Sequence, residues 1–309
     1  MHISPQAREG ISKDVQAAQT KEELIQLGAG LLGQLPTDLQ KMLREHTDPL
    51  IIDVNDISIP WELLHDGKDF LSLRVPLGKQ IRTAEIPRLA REKSDEIRIL
   101  LIGVPVVPNS DLQPLQFVEE EISHLQEAFK TLSGITFDPA NDILFDKEAH
   151  VWEVQKRLKA GRYKIIHFAG HATYDSKSEQ GGILLHDGIL ETETIKNSVG
   201  GNPLIFLNAC ESAQGRGKFI HTGYLGVYLS GIASAFIIGG AMACVASIWG
   251  VLDHKGFQFS IDFYKEITKG AMVGEALRRT KFKEFKKDTV DSRAWVNYVL
   301  FGDPTQRIF

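Results

Sequence analysis

The feature that most narrows how this chain can fold is a rhythm of apolar runs and amphipathic segments that sets in at residue 97. Ile97–Val104 is a continuous apolar run, the pattern of a strand buried on both faces of a parallel sheet. Val118, Ile122, Leu125, Phe129 and Leu132 follow at helical spacing, with Glu119, Glu120 and Glu121 near the positive helix start. Val151, Val154 and Leu158 mark the next helix, and Tyr163–Ala169 and Leu204–Asn208 read as further strands. A small-residue helix then ends at Gly239-Gly240, Ala243–Ile248 reads as a buried strand, and amphipathic helices with Phe259, Phe263 and Ile267 run to the end. Strand and helix in this alternation imply an α/β fold, a mostly parallel sheet flanked by helices on both faces.

Two segments precede that rhythm. Residues 50–83 read as β-rich: Ile51-Ile52 opens a strand, and a turn at His65–Lys68 separates Trp61–Leu64 from Phe70–Leu73. Residues 1–48 read as short helices, with Leu24, Leu27, Leu31, Leu32 and Leu35 in one apolar stripe. Such a segment cannot bury much alone, so it is expected to dock on the main domain or on an activator protein. The organisation expected is therefore a helical segment over 1–48 and a domain over 50–309.

Composition removes several functions. The 309 residues carry a formal net charge of −5 without a long basic tract, which argues against direct nucleic-acid binding. With two cysteines, Cys210 and Cys244, a disulfide scaffold is excluded and a reducing, cytoplasmic setting is expected. Residues 1–20 lack the apolar core of a leader peptide. Thr222–Leu252 is uncharged and long enough to span a bilayer, but its glycines break it into a helix and a buried strand, so no membrane span is expected.

Ligands of such sheets sit beyond the carboxyl ends of the strands. Two strands run there into reactive residues: Tyr163–Ala169 into Gly170-His171, and Leu204–Asn208 into Ala209-Cys210. A thiol attacks as thiolate, and an imidazole within reach is the usual means of taking its proton. His171 and Cys210 are thus the candidate catalytic pair, with the backbone N–H groups of Ala172 and Cys210 as candidate oxyanion donors. Small residues around His171 are expected to let a substrate backbone approach. His167, inside its strand, is read as packing or hydrogen bonding behind the site, and Cys244, within an apolar strand, as core. No further His, Cys or Asp cluster completes a zinc site, so neither metal nor cofactor is expected.

Ile165–Ala172 and Leu204–Ser212 resemble the His and Cys motifs of CHAT domains, bacterial relatives of caspases and separases. Ile59-Pro60-Trp61-Glu62-Leu63-Leu64, Val245-Ala246-Ser247-Ile248-Trp249, Gly274–Arg278 and Phe301-Gly302-Asp303-Pro304 resemble further family segments in family order. The family often has Gly after the histidine, where this chain has Ala172. The resemblance implies a caspase-like sheet over 50–309 and a cofactor-free cysteine endopeptidase held inactive until a partner or signal releases it. It implies a protein substrate, such as a gasdermin-like pore former or a regulator in a bacterial antiviral defence system. It also implies a substrate pocket from Asn208 and the stretch holding Ser247, Trp249 and Asp253. Asp253 on the pocket floor would favour Arg or Lys before the cleaved bond, whereas as a helix cap it would have no such role. A catalytically silent scaffold that binds a partner protein is the alternative reading.

Overall fold

The computed structural model describes residues 14–15, 18, 20–54, 60–81, 96–175, 180–211, 225–248, 253–287 and 294–309. Its centre is a ten-stranded sheet built from β1 (Leu50–Val54), β2 (Leu77–Ile81), β3 (Ile99–Gly103), β4 (Ile143–Phe145), β5 (Ile165–Asp175), β6 (Gln180–Leu185), β7 (Gly188–Glu191), β8 (Leu204–Glu211), β9 (Ala243–Ser247) and β10 (Tyr298–Gly302). The order is β1-β2-β10-β9-β8-β5-β3-β4, with β6 hydrogen-bonded to β5 and β7 to β6. The pairs along that path are parallel except β10 with β9. The longer helices are α1 (Lys21–Gly33), α2 (Thr37–Glu45), α3 (Phe117–Thr131), α4 (Val151–Ala160), α5 (Leu225–Gly239), α6 (Asp253–Ile267) and α7 (Val273–Phe285).

Strand alternation splits the core in two. Leu100, Ile102, Ile166, Phe168, Ile205 and Leu207 belong to one apolar cluster with residues of α1, α2, α4 and α5, whereas Ile99, Leu101, Ile165, Ala169, Leu204 and Phe206 belong to a second with residues of α3, α6 and α7. The central strands are therefore apolar on both faces apart from single polar positions such as His167 and Asn208, which is why they are legible as nearly continuous runs. The uncharged 222–252 stretch contains α5 and β9, with Ile232, Ala233, Ala235, Phe236 and all of β9 buried. Among the described residues no helix is long and apolar enough to cross a membrane.

Three sequence expectations are corrected. Trp61–Leu64 and Phe70–Leu73 do not pair as a hairpin: Trp61–Leu63 is a 3-10 turn, Leu71–Arg74 a short helix, and one isolated bridge, His65↔Phe70, joins them. Leu63, Leu64, Phe70, Leu71 and Leu73 are all buried, so the period-2 alternation of a half-exposed hairpin is missing. The chain end is also not all helix, because Tyr298–Gly302 inserts as β10 between β9, to which it runs antiparallel, and β2, to which it runs parallel. Finally, β5 and β8 run past Ala169 and Asn208, so His171 and Cys210 lie within strands rather than after them.

Helix α1 starts on a capping box, Thr20 Oγ1 accepting from Glu23 N and Glu23 Oε2 from Thr20 N, each at 3.2 Å. Leu24, Leu31, Leu32, Leu35 and Leu43 of this region join the same apolar cluster as Leu63 and Leu64. The approach is close at Gly28, where a Cβ would stand 2.0 Å from the Leu63 carbonyl oxygen. Gly28→Ala is therefore expected to destabilise the fold by about 1–3 kcal/mol, as overpacking against backbone does. Chemical denaturation of the variant would measure it, and an unchanged midpoint would show that α1 can lift away freely.

Candidate active site

Strands β5 and β8 pair in parallel over eight rows, from Ile165↔Leu204 to Ala172↔Glu211, and in the seventh His171 stands in register with Cys210. Neighbouring strands lie about 4.8 Å apart, so the two backbones meet at the closest spacing a sheet permits. The other edge of β5 changes partner at this same place. β3 pairs with Ile165–Ala169 and then leaves the sheet, and β6 pairs with Ala172–Asp175. Gly170 and His171 occupy the break between them. The imidazole of His171 therefore stands at the row where β5 changes neighbours.

The chain that leaves β3 returns to cover this histidine. His171 is buried, and its Nε2 lies 3.1 Å from the backbone oxygen of Gln113. A carbonyl only accepts, so Nε2 carries the hydrogen and, in the neutral ring, Nδ1 keeps the lone pair. The loop is itself held, with Leu115 N donating to Pro105 O at 2.8 Å and Ser110 Oγ to Val107 O at 2.7 Å. Gly170 has a reason beyond substrate approach: a Cβ there would stand 2.7 Å from the ring of Phe168 on the same face of β5.

Behind the pair lies a polar cluster in an otherwise apolar layer. His167 is fully buried, its Nε2 3.1 Å from Glu121 Oε1 and its Nδ1 3.0 Å from the Tyr264 hydroxyl. Asn208 donates from Nδ2 to both Glu121 oxygens, at 3.0 and 2.8 Å, and accepts at Oδ1 from the Tyr298 hydroxyl at 3.1 Å. Ser260 donates to Phe257 O at 2.9 Å and has Glu121 Oε1 at 3.4 Å. Burial, with the Glu121 carboxylate next, pushes the Tyr264 phenol well above its ordinary pKa, so it keeps its proton.

The other candidate positions divide. Asn208 is nearly buried with its amide used on both sides, and Ser247 is fully buried, donating from Oγ to Ala209 O at 3.2 Å. Trp249 lies outside the described residues; Asp253 is the first residue of α6, and its side chain lies outside the description. Ala172 is in register with Glu211 on one edge and Ile183 on the other, so its backbone faces a paired strand on both sides. Cys210 lies beyond the last row that β8 shares with β9, Leu207↔Ala246. Cys244 sits inside β9 without exposure, and burial drives its thiol pKa far up. Among the described residues no group of three or more His, Cys, Asp or Glu is arranged to hold a metal ion.

Sequence reading missed Gln113, whose contribution is a backbone oxygen, and Glu121, which was grouped with the acids of a helix start. A signal for Glu121 existed. It stands three residues after Val118 and four before Leu125, on the apolar stripe of α3, where a carboxylate is out of place unless it has partners inside.

A three-layer α/β/α fold with histidine and cysteine in register on neighbouring parallel central strands is a caspase-like fold. The fold is similar to the crystal structure of the Arg-specific cysteine proteinase gingipain R, with a TM-score of 0.53 and 15% identity over 94% of this chain and 70% of that one. It is similar also to the complex of pro- and mature domains of the Porphyromonas gingivalis enzyme, with a TM-score of 0.50 and 13% identity over 95% and 71% of the two chains. A weaker likeness, TM-score 0.46 and 15% identity, relates 79% of this chain to 15% of a chain in the Saccharomyces cerevisiae separase–securin complex. No curated protein sequence gives a significant match. The family profile of the CHAT domain matches residues 24–303, and the chain belongs to that family.

Proposed function

We propose that the protein is a cysteine endopeptidase in which Cys210 is the nucleophile and His171 the general base and acid. One observation carries the reading: the two stand in register on neighbouring parallel strands, at the row where β5 exchanges β3 for β6. The Gln113 oxygen on Nε2 supports it further, because it leaves Nδ1 as the proton acceptor of the neutral ring.

In this mechanism Nδ1 of His171 takes the thiol proton of Cys210, and the sulfur electron pair adds to the substrate carbonyl carbon. The π pair of that carbonyl moves to its oxygen, towards the N–H of Cys210 as the proposed donor. The carbonyl reforms as the C–N bond breaks, and the departing amine takes the proton from His171, leaving a thioester. Water then gives a proton to the same nitrogen and adds to the thioester; collapse releases the acid, and His171 returns the proton to sulfur.

A peptidyl ketone electrophile tests the proposal without knowledge of the natural substrate. It is expected to form an adduct on Cys210 and none on the buried Cys244, read by mass spectrometry of the digested protein. Equal inertness of both cysteines would overturn the peptidase reading in favour of a partner-binding scaffold. Run with Arg, Leu and Asp at P1, the same reagents address Asp253. Arg preference lost in Asp253→Ala would assign it to the pocket, and reaction with Leu alone would remove it.

A further inference from the structure

We infer that Glu121, His167, Asn208, Tyr264 and Tyr298 form one positioning unit that fixes the alignment of His171 with Cys210. The inference rests on the peptidase reading of that pair. These side chains come from α3, β5, β8, α6 and β10, and none is more than 9% exposed. Their hydrogens can be assigned in one consistent direction. The Asn208 amide donates to the carboxylate, so its oxygen receives the Tyr298 hydroxyl. Glu121 accepts, so His167 Nε2 donates, and Nδ1 of the neutral ring receives the Tyr264 hydroxyl. A network whose members are all satisfied in one arrangement adds to the register that apolar packing already sets, because sliding would break its hydrogen bonds.

Placement says what is being held. Asn208 is paired with Ala169, two residues before the His171↔Cys210 row on both strands, about 7 Å away along the sheet. Glu121 belongs to α3, which begins four residues after Gln113, and so couples both strands to the segment whose carbonyl meets His171 Nε2. The unit therefore bears on the two things the chemistry needs, the row that aligns cysteine with histidine and the oxygen that sets the imidazole tautomer. Apolar residues would fill this space at lower desolvation cost, as Phe206 and Ile165 do in the same layer.

The test is the alkylation rate of Cys210 by iodoacetamide in the full chain at neutral pH, followed by peptide mass spectrometry, with Cys210→Ser as background and glutathione as the reference thiol. Wild-type Cys210 is expected to react about tenfold or more faster than glutathione, as an imidazole-paired thiol does. His167→Leu, which removes the donor to Glu121, is expected to lower that rate about tenfold. His167→Gln, which puts an amide N–H near the lost Nε2, should recover it to within about threefold of wild type. Tyr298→Phe, which removes one hydroxyl and no volume from the core, is expected to slow alkylation about threefold while melting within a few degrees of wild type. Wild-type rates in folded His167→Leu and Tyr298→Phe, or a His167→Gln as slow as His167→Leu, would overturn the inference. A wild-type Cys210 no faster than glutathione would instead overturn the peptidase reading, and this inference with it.

Discussion

Cys210→Ala and His171→Ala are each expected to lower kcat/KM for a cleaved peptide by at least about a thousandfold, or about 4 kcal/mol of transition-state stabilisation, with the fold intact. The double variant should be little worse than either, because nucleophile and base act as a unit and removing one leaves the other nothing to do. His171→Gln separates chemistry from structure. Its amide N–H can replace Nε2–H on the Gln113 oxygen and keep the loop after β3 in place, but it supplies no base. It is expected to melt within a few degrees of wild type and to be as inactive as His171→Ala. Appreciable activity in His171→Gln would show that another group takes the thiol proton. His167 is the nearest alternative in sequence, and its two nitrogens already face Tyr264 and Glu121.

How much of this could be read before folding follows from burial geometry. Nearly continuous apolar runs announced β3, β5, β8 and β9, because strands covered by helices on both faces have few polar positions to interrupt them. The same property blurred their ends: nothing local in Gly170-His171-Ala172 says that β5 continues to Asp175, because that continuation is fixed by β6 arriving on its edge. β10 was missed for a related reason. Tyr298–Gly302 is too short to display a period, and its strand state comes from two neighbours, β9 and β2, far away in sequence. In the site, side-chain chemistry singled out His171 and Cys210, whereas the register that aligns them is tertiary. Gln113 was illegible because a backbone carbonyl leaves no mark in sequence. Asn208 and Ser247 were placed around a pocket by resemblance to relatives, yet their polar atoms are engaged inside, with Glu121, Tyr298 and the Ala209 carbonyl.

Glu62→Ala is expected to be the most damaging single substitution away from the site. Glu62, on the 3-10 turn at Trp61–Leu63, holds Lys79 of β2 at 2.8 Å, with both side chains almost without exposure. A second cation, Lys281 of α7, is buried beside them, its pKa brought down to about 8 by desolvation, which the Lys79 charge reinforces and Glu62 opposes. Removing the carboxylate takes an ion-pair partner from buried Lys79 and removes the charge that opposes the lowering of the Lys281 pKa, and breaking a buried pair costs about 3–5 kcal/mol. For a chain of this size that corresponds to a melting point lower by roughly 5–8 °C. Lys281→Met should act in the opposite direction. Below pH 8 Lys281 is protonated in both folded and unfolded chains, so the full cost of burying its charge is present, about 3 kcal/mol for a pKa lowered from 10.5 to about 8. Between pH 8 and 10.5 the unfolded chain binds the proton and the folded one does not, so wild-type stability rises with pH and the cost disappears above that window. Lys281→Met is therefore expected to be more stable than wild type at pH 7 by about 2–3 kcal/mol and to converge on it near pH 10.5, as urea titrations at the two pH values would measure. A constant difference across that range would mean that Lys281 is stabilised by partners other than Glu62 and that its ammonium is not the strained group.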